Sequence, residues 1–423
     1  MSREVSVAVL QLAAHDRAAF TQRWPQICTR IREAASQGAQ LVVLPEGTVP
    51  AYVLGHEPIE SELLQAALDD VQSLARSTES VIVYGTARHS ADGLYNSAYV
   101  IDADGSFAGS ADKRFLWDFD HDWFVAGRRG APIQTAVGIL GVLICADGRI
   151  PTIARALVDG GAEMLVMPTA WVTSGRDPHH LENAQADLLA AVRARENAVP
   201  FAAANKVGVE RECVAYCGKS VIITSDGTVV ARASQRSEET LIASVGFRRT
   251  HPPRITPSEP ARAQAPAQEL RLAITPHDVD ADTIHAILGV DELVTSRTRP
   301  GDRALARAAA ACVDDDAVGD PGGLVPYRLA GYQLLIWRSD WNDEAWMKTL
   351  ARARALELRV FMIVIRDGAF AFAVDPDGVI ACGTFGGFRV ASFTFSPART
   401  MQTAVAPKTD ILEGLDRASV MEV

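Results

Sequence analysis

A thiol and a carboxylate each stand just past an apolar run in this chain of 423 residues, and an ammonium just past a hairpin strand. In "GVLICADGRIP", residues 141–151, the run leads into Cys145, and the chain then turns polar through Asp147, Gly148 and Arg149. A packing cysteine belongs among the apolar residues, because free Cys behaves as a small hydrophobe. Cys145 instead sits at the edge, where the reactive groups of α/β sheets gather. Glu46 follows "QLVVLP", Lys113 follows "GSFAGSAD" and Trp171 follows "EMLVMPTA". If these strands are neighbours, a nucleophile, a base and an oxyanion stabiliser meet at one rim, the set needed to attack a carbonyl or nitrile carbon.

Each group has a physical task. A free thiol with a pKa near about 8.5 is only a few per cent ionised at neutral pH, so Cys145 needs a base, and Glu46 can take its proton. The Lys113 ammonium, with the backbone N–H of Ala146, can hold the oxyanion of a tetrahedral intermediate. None of the nine histidines stands in a papain-like or caspase-like signature, which favours a glutamate-based thiol enzyme. Around these groups, Tyr52 either lines the pocket or packs its loop, Trp171 either lines the pocket or caps a strand, and His179 lies on a polar loop or rim.

The elements that must position these residues are short. Strands are expected at "VSVAVLQL", "QLVVLPEG", "SVIVYGTA", "LYNSAYVID", "GILGVLICA", "AEMLVMPTA", "VPFAAANKV", "KSVIITSDG" and "TLIASVGF". Helical periodicity runs through 20–37, 60–77, 151–160 and 181–196, with Pro151 in a first turn. Asp104-Gly105 and Asp226-Gly227 signal hairpins. Crossovers mixed with hairpins predict an α/β fold of two sheets with helices outside.

The composition is that of a globular protein, 48% apolar and 22% charged. A net charge of −11 argues against a general nucleic-acid or anionic-membrane surface. The N-terminus lacks a secretory pattern and no run is long enough to span a membrane, so a cytoplasmic protein with reduced thiols is expected. Cys213 and Cys217 lack a second ligand pair, and neither a metal nor an organic cofactor is expected.

Residues 248–269, with five prolines, read as a linker between a catalytic domain at 1–247 and a second domain at 270–423. The second half echoes the first. "GYQLLIWRSDW" aligns with "GAEMLVMPTAW" and about equally with "GAQLVVLPEGT", the latter placing Ser339 or Asp340 at the position of Glu46.

The three motifs, in this order, resemble those of the nitrilase superfamily of carbon–nitrogen hydrolases: "LVVLPEG", "GSADKRFLW" followed by "DWFVAG", and "GVLICADGRIP" as G-x-x-I-C-x-D-x-R-x-P. The resemblance covers about residues 4–247. It implies an αββα four-layer sandwich, a Glu-Lys-Cys triad at Glu46, Lys113 and Cys145, and hydrolysis through a thioester. It places Asp120 where the family often has a second glutamate, with Asp122 next in line. An amide or N-carbamoyl substrate is expected, since Ala146-Asp147 stands where family nitrilases tend to have Trp-Glu; a nitrilase and a silent scaffold are the alternatives. Residues 270–423 are expected to be a smaller, degenerate copy without the triad, making an intrachain pseudo-dimer unless the chain forms a homo-oligomer.

Overall fold

The computed structural model describes residues 3–55, 58–128, 130–174, 176–177, 179–247, 259–263, 267–299 and 307–420. They divide into two units: those within Met1–Pro252 together with Ala406–Thr409, and those within Pro253–Val405 and Asp410–Val420. The division falls inside the proline-rich stretch, of which 248–258 and 264–266 lie outside the described residues. Residues 406–409 count with the first unit although the sequence reading assigned them to the second. The cause is polar: Lys408 pairs with Asp122 at 2.5 Å, and Thr409 Oγ1 accepts from Asp118 N at 2.8 Å.

The first unit contains two sheets. Its strands are β1 (Arg3–Ala13), β2 (Leu41–Val43), β3 (Val81–Ser90), β4 (Gly93–Ile101), β5 (Phe107–Asp112), β6 (Ile133–Thr135), β7 (Gly138–Val142), β8 (Met164–Pro168), β9 (Phe201–Ala204), β10 (Lys206–Glu210), β11 (Val214–Cys217), β12 (Val221–Ile223), β13 (Val229–Arg232) and β14 (Glu239–Phe247). One sheet runs β11-β10-β1-β2-β3-β4-β5 with β14 also on β1, the other β13-β12-β9-β8-β7-β6. The parallel strands β2, β8 and β9 are buried throughout, as apolar strands covered on both faces must be. Asp-Gly turns close β4–β5 and β12–β13, with Gly105 and Gly227 at positive φ.

Helices α1 (Phe20–Ser36) and α2 (Ser61–Thr78) cover the first sheet, seating Ile27, Ile31, Val71 and Leu74 against Leu10, Val42 and Ile82. The short α3 (Asp120–Trp123) follows β5. Helices α4 (Pro151–Asp159) and α5 (Ala190–Asn197) pack on the second sheet, and the two sheets meet through β1, β2 and β3 against β8, β9 and β12. This is a helix–sheet–sheet–helix sandwich. Its last helical stretch starts later than the 181–196 periodicity suggests, because Asn183 Oδ1 accepts from the backbone N–H of Gln185 and Ala186 and so caps the chain there. The first turns, Gln185–Leu189, are π-helical.

The second unit is smaller and also carries two main sheets. Strands β15 (Leu270–Ile274), β16 (Glu292–Val294), β17 (Ala310–Val313), β18 (Leu334–Arg338), β19 (Phe361–Arg366), β20 (Phe370–Val374), β21 (Ile380–Gly383) and β22 (Ala391–Phe395) pair in the orders β16-β15-β22 and β17-β18-β19-β20-β21. Leu272, Ile274, Ile336, Ile363 and Phe395 join both sheets in one core. Among the described residues no helix is long and apolar enough to cross a membrane.

Candidate active site

Three strand ends and the start of a short helix of the first unit converge. Glu46 lies three residues past β2, Lys113 directly past β5, Asp120 opens α3, and Cys145 opens a tight 3-10 turn, Cys145–Arg149, three residues past β7. Glu46, Lys113 and Asp120 are fully buried, and Cys145 nearly so. Lys113 Nζ bonds Glu46 Oε1 at 2.7 Å and Asp120 Oδ2 at 2.5 Å. Asn96 on β4 donates to the same Glu46 oxygen at 2.7 Å, and Asp120 Oδ2 also accepts from Trp117 N at 2.8 Å. Glu46 Oε2 has no hydrogen-bond partner among the described residues. One carboxylate oxygen is thus anchored and the other is without a partner among the described residues.

The electrostatics suit a base at Glu46. Burial pushes the Glu46 carboxyl up, Asp120 adds to the rise, and Lys113 opposes it, so Glu46 is a stronger base than an exposed carboxylate. Burial opposes the charge on Lys113, yet Asp120 and Glu46 hold its pKa well above the ordinary lysine value. The Cys145 thiol is pushed up to about 12 by burial and then by Glu46, against the pull of Lys113, Thr169 and the Ala170 N–H. At neutral pH Cys145 is therefore a protonated thiol. The thiolate forms only as its proton leaves.

Cys145 adopts φ of 44°, a left-handed conformation uncommon outside glycine and characteristic of functional turns. Asp147 holds that turn: its Oδ2 accepts from Ile144 N at 3.0 Å, while Oδ1 accepts from Arg114 N at 3.0 Å and Phe115 N at 2.8 Å. One buried carboxylate therefore ties the nucleophile's turn to the segment that follows Lys113. Behind the turn, Arg193 Nε of α5 donates to Gly148 O at 3.0 Å and Nη1 to Glu196 at 2.5 Å. Across the sandwich, Glu46 N donates to Thr169 O at 3.3 Å, joining the end of β2 to the end of β8. Gly85 leaves room for this: a Cβ there would lie 2.5 Å from Glu46 Cα.

A carbon-nitrogen hydrolase family model matches residues 6–252, more than half of the chain. The chain belongs to the carbon-nitrogen hydrolase family. This hydrolase is 33% identical over 221 residues to a nitrilase of Pyrococcus abyssi, across 51% of its own length and 80% of that protein. It is 30% identical over 264 residues to an N-carbamoylputrescine amidase of Arabidopsis thaliana, across 57% and 86%. A solved carbon-nitrogen hydrolase from Helicobacter pylori G27 superposes with a TM-score of 0.52 at 26% identity, over 57% of this chain and 89% of that one.

The other residues singled out from the sequence fall into two groups. Tyr52 is buried with its ring 5.7 Å from Lys113 Nζ, and burial, then Asp120 and Glu46, keep its phenol protonated. Ala146 is buried in the nucleophile turn of the hydrolase. Trp171 is buried, and its indole N–H has no partner among the described residues. His179 stands apart on an exposed loop, held through its backbone by Asp177 and Gln235. Asp122, next in line for the acid position, is partly exposed and pairs with Lys408 instead.

Several contributors escaped the sequence reading. Asn96 and Asp147 are buried polar residues whose partners lie on other elements. Asn205 accepts from Trp171 N at 2.7 Å and donates to Gly218 O at 2.7 Å, fixing the Trp171 backbone. Glu210 accepts from Tyr52 N and Val53 N at 2.9 and 2.6 Å, and its other oxygen takes Lys206 and the Tyr216 hydroxyl, so it holds the Tyr52 loop. The available signal for all four was a polar residue inside an otherwise apolar strand or at its end.

Proposed function

We propose that this hydrolase cleaves the C–N bond of a small carboxamide or N-carbamoyl compound by way of a Cys145 thioester. Cys145 Sγ adds to the carbonyl carbon while its proton passes to Glu46 Oε2. The carbonyl oxygen becomes an oxyanion facing Lys113 Nζ and the Ala146 N–H, a backbone donor left unpaired by its place at the start of a helical turn. Collapse breaks the C–N bond, and the proton held by Glu46 leaves with ammonia or an amine. Water then adds to the thioester with Glu46 again as base, releasing the acid and restoring the thiol. Asp120 keeps Lys113 charged and aimed. The observation that carries this reading is a buried ammonium clamped by two carboxylates beside a thiol in a left-handed turn. The similarity to an N-carbamoylputrescine amidase supports the amide and carbamoyl classes.

The test is turnover of a panel of amides, N-carbamoyl amines and nitriles, with ammonia detection and mass spectrometry of the protein. An acyl adduct on the Cys145 peptide with amides supports the proposal. Turnover of nitriles alone would replace it with the nitrilase reading, to which the Pyrococcus relative lends its name.

Two further results are expected. Asp120→Asn should lower kcat on the order of 10²- to 10³-fold, the range for a positioned charge, because Lys113 loses one of its two anchors. A loss below about threefold would remove Asp120 from the machinery. The pH profile should show an acid limb lying above the ordinary carboxylate range: Glu46 must be ionised to act as base, its pKa is raised, and activity therefore grows as pH rises through that value. With the thiol near 12, no second rise from thiolate formation is expected between pH 6 and about 9. Initial rates across that range check both points.

A further inference from the structure

We infer that the second unit is a reduced copy of the catalytic fold in which the Asp315 carboxylate fills the nucleophile position, held by a cradle equivalent to the one around Cys145. The inference is independent of the substrate proposed above.

Strand pairing carries the comparison. In the first unit β1 pairs with β2 in parallel and with β14 antiparallel; in the second, β15 pairs with β16 and β22 in the same senses. The parallel strands β7, β8 and β9 continue into antiparallel β12 and β13, as β17, β18 and β19 continue into β20 and β21. Each final hairpin shifts register at one step, between Ile222 and Ile223 in one unit and between Ala373 and Val374 in the other, and Asp226-Gly227 and Asp377-Gly378 lie at matching distances beyond. Among the described residues β3 to β6 have no counterpart in the second unit.

The registers match residue for residue. Leu140 faces Met164 in the first unit and Ala310 faces Leu334 in the second, the same distance apart in sequence. Counting forward from either strand, Cys145 corresponds to Asp315, Thr169 to Ser339 and Ala170 to Asp340. The surroundings agree. Thr169 and the Ala170 N–H lie beside Cys145 and pull its thiol pKa down, against the larger upward push of burial and Glu46. Asp315 accepts from Ser339 Oγ at 2.6 Å and from Asp340 N at 3.0 Å, and additionally from Trp337 Nε1 at 2.8 Å.

The brace behind the turn is also duplicated. Arg354 Nε donates to Val318 O at 3.1 Å and Nη1 to Glu357 at 2.9 Å, and Val318 and Glu357 stand where Gly148 and Glu196 stand relative to the paired strands. This corrects the sequence alignment that set Ser339 or Asp340 at the position of Glu46: both belong at the end of the β8 equivalent. The position three residues past β16 is Arg297, whose side chain is exposed and paired with Asp278 at 2.9 Å. Without a base, a counterpart of Lys113 or a thiol, this turn supports no thioester step. What it keeps is a set of donors converging on one anion, occupied by the chain's own carboxylate.

Two variants of the full chain test this. In Asp315→Ala the donors lose their acceptor, and the transition followed by tryptophan fluorescence should fall by about 5–10 °C, the range for unpaired, partly buried donors in a unit of this size. Formate at about 100 mM should restore part of that loss by entering the vacated cradle, while leaving the wild-type Tm unchanged. In Asp315→Cys combined with Cys145→Ala, the pH dependence of iodoacetamide labelling at position 315, read by peptide mass spectrometry, should give a thiol pKa at least about one unit below the ordinary 8.5. An unshifted Tm in Asp315→Ala, an equal response of variant and wild type to formate, or a thiol pKa at or above the ordinary value would each overturn the inference.

Discussion

Cys145→Ala should abolish turnover, with a loss of roughly 10⁵-fold or more, the scale on which enzymes lose a covalent nucleophile. The variant should still fold. Alanine keeps the Cβ, so the left-handed turn at this position is no more strained than with cysteine, and one sulfur at a strand end is a small part of the core. The bonds that hold the turn come from Asp147 and Arg193, neither of which touches the thiol. Cys145→Ser should be nearly as inactive, on the order of 10⁴-fold or worse, because a hydroxyl is a far weaker acid than a thiol and a carboxylate base cannot ionise it at neutral pH. Steady-state rates with the best amide of the panel, together with circular dichroism, decide the point. Residual activity within tenfold of wild type would sink the mechanism.

Glu46→Gln should lower kcat on the order of 10³- to 10⁴-fold. Glutamine fills the same space and can still accept from Asn96 and Lys113 through its oxygen. It cannot take the thiol proton, pass it to the leaving amine, or activate the water that cleaves the thioester. Two chemical steps therefore slow together, but not equally: a substrate with a good leaving group needs little help in acylation and still needs a base for deacylation. With an activated ester in place of an amide, the variant should accumulate an acyl adduct at Cys145, visible as a stoichiometric burst followed by slow turnover. Equal loss with amide and activated ester, and no adduct, would remove Glu46 from the role of base. Because Asp120 is then the one charged partner of the clamp left to Lys113, a modest fall in Tm is also expected, since one buried ammonium loses a charged partner.

The parts of this molecule legible from sequence were those where one strand end announces its chemistry. Glu46 and Cys145 each follow a short apolar run, Lys113 follows a hairpin strand, and the two Asp-Gly turns mark their hairpins directly. What was not legible depends on which strand lies beside which. Asn96 sits in a strand of ordinary composition, and only the pairing of β3 with β4 brings it onto Glu46. Asp147 was visible as part of a motif, but its work of tying the nucleophile turn to Arg114 and Phe115 is a contact across elements. The ambiguity of "GYQLLIWRSDW" had the same origin. Buried parallel strands of similar length and composition look alike, and the register against β17 and β19, not the residues of β18 itself, settles its place.

The backbone bond from Glu46 to Thr169 has a consequence beyond holding two loops together. Base and ammonium ride on one sheet of the sandwich and the thiol on the other, so the distance over which a proton must hop is set by how far apart the two sheets lie. A misplacement of about 1 Å can cost on the order of 10²-fold in rate. The reaction rate of this protein is thus a ruler laid across its own interior. Side chains between the layers, such as Ala202 and Val166, act as shims: exchanging one for a bulkier residue would open the gap and quiet the chemistry with every catalytic residue still present.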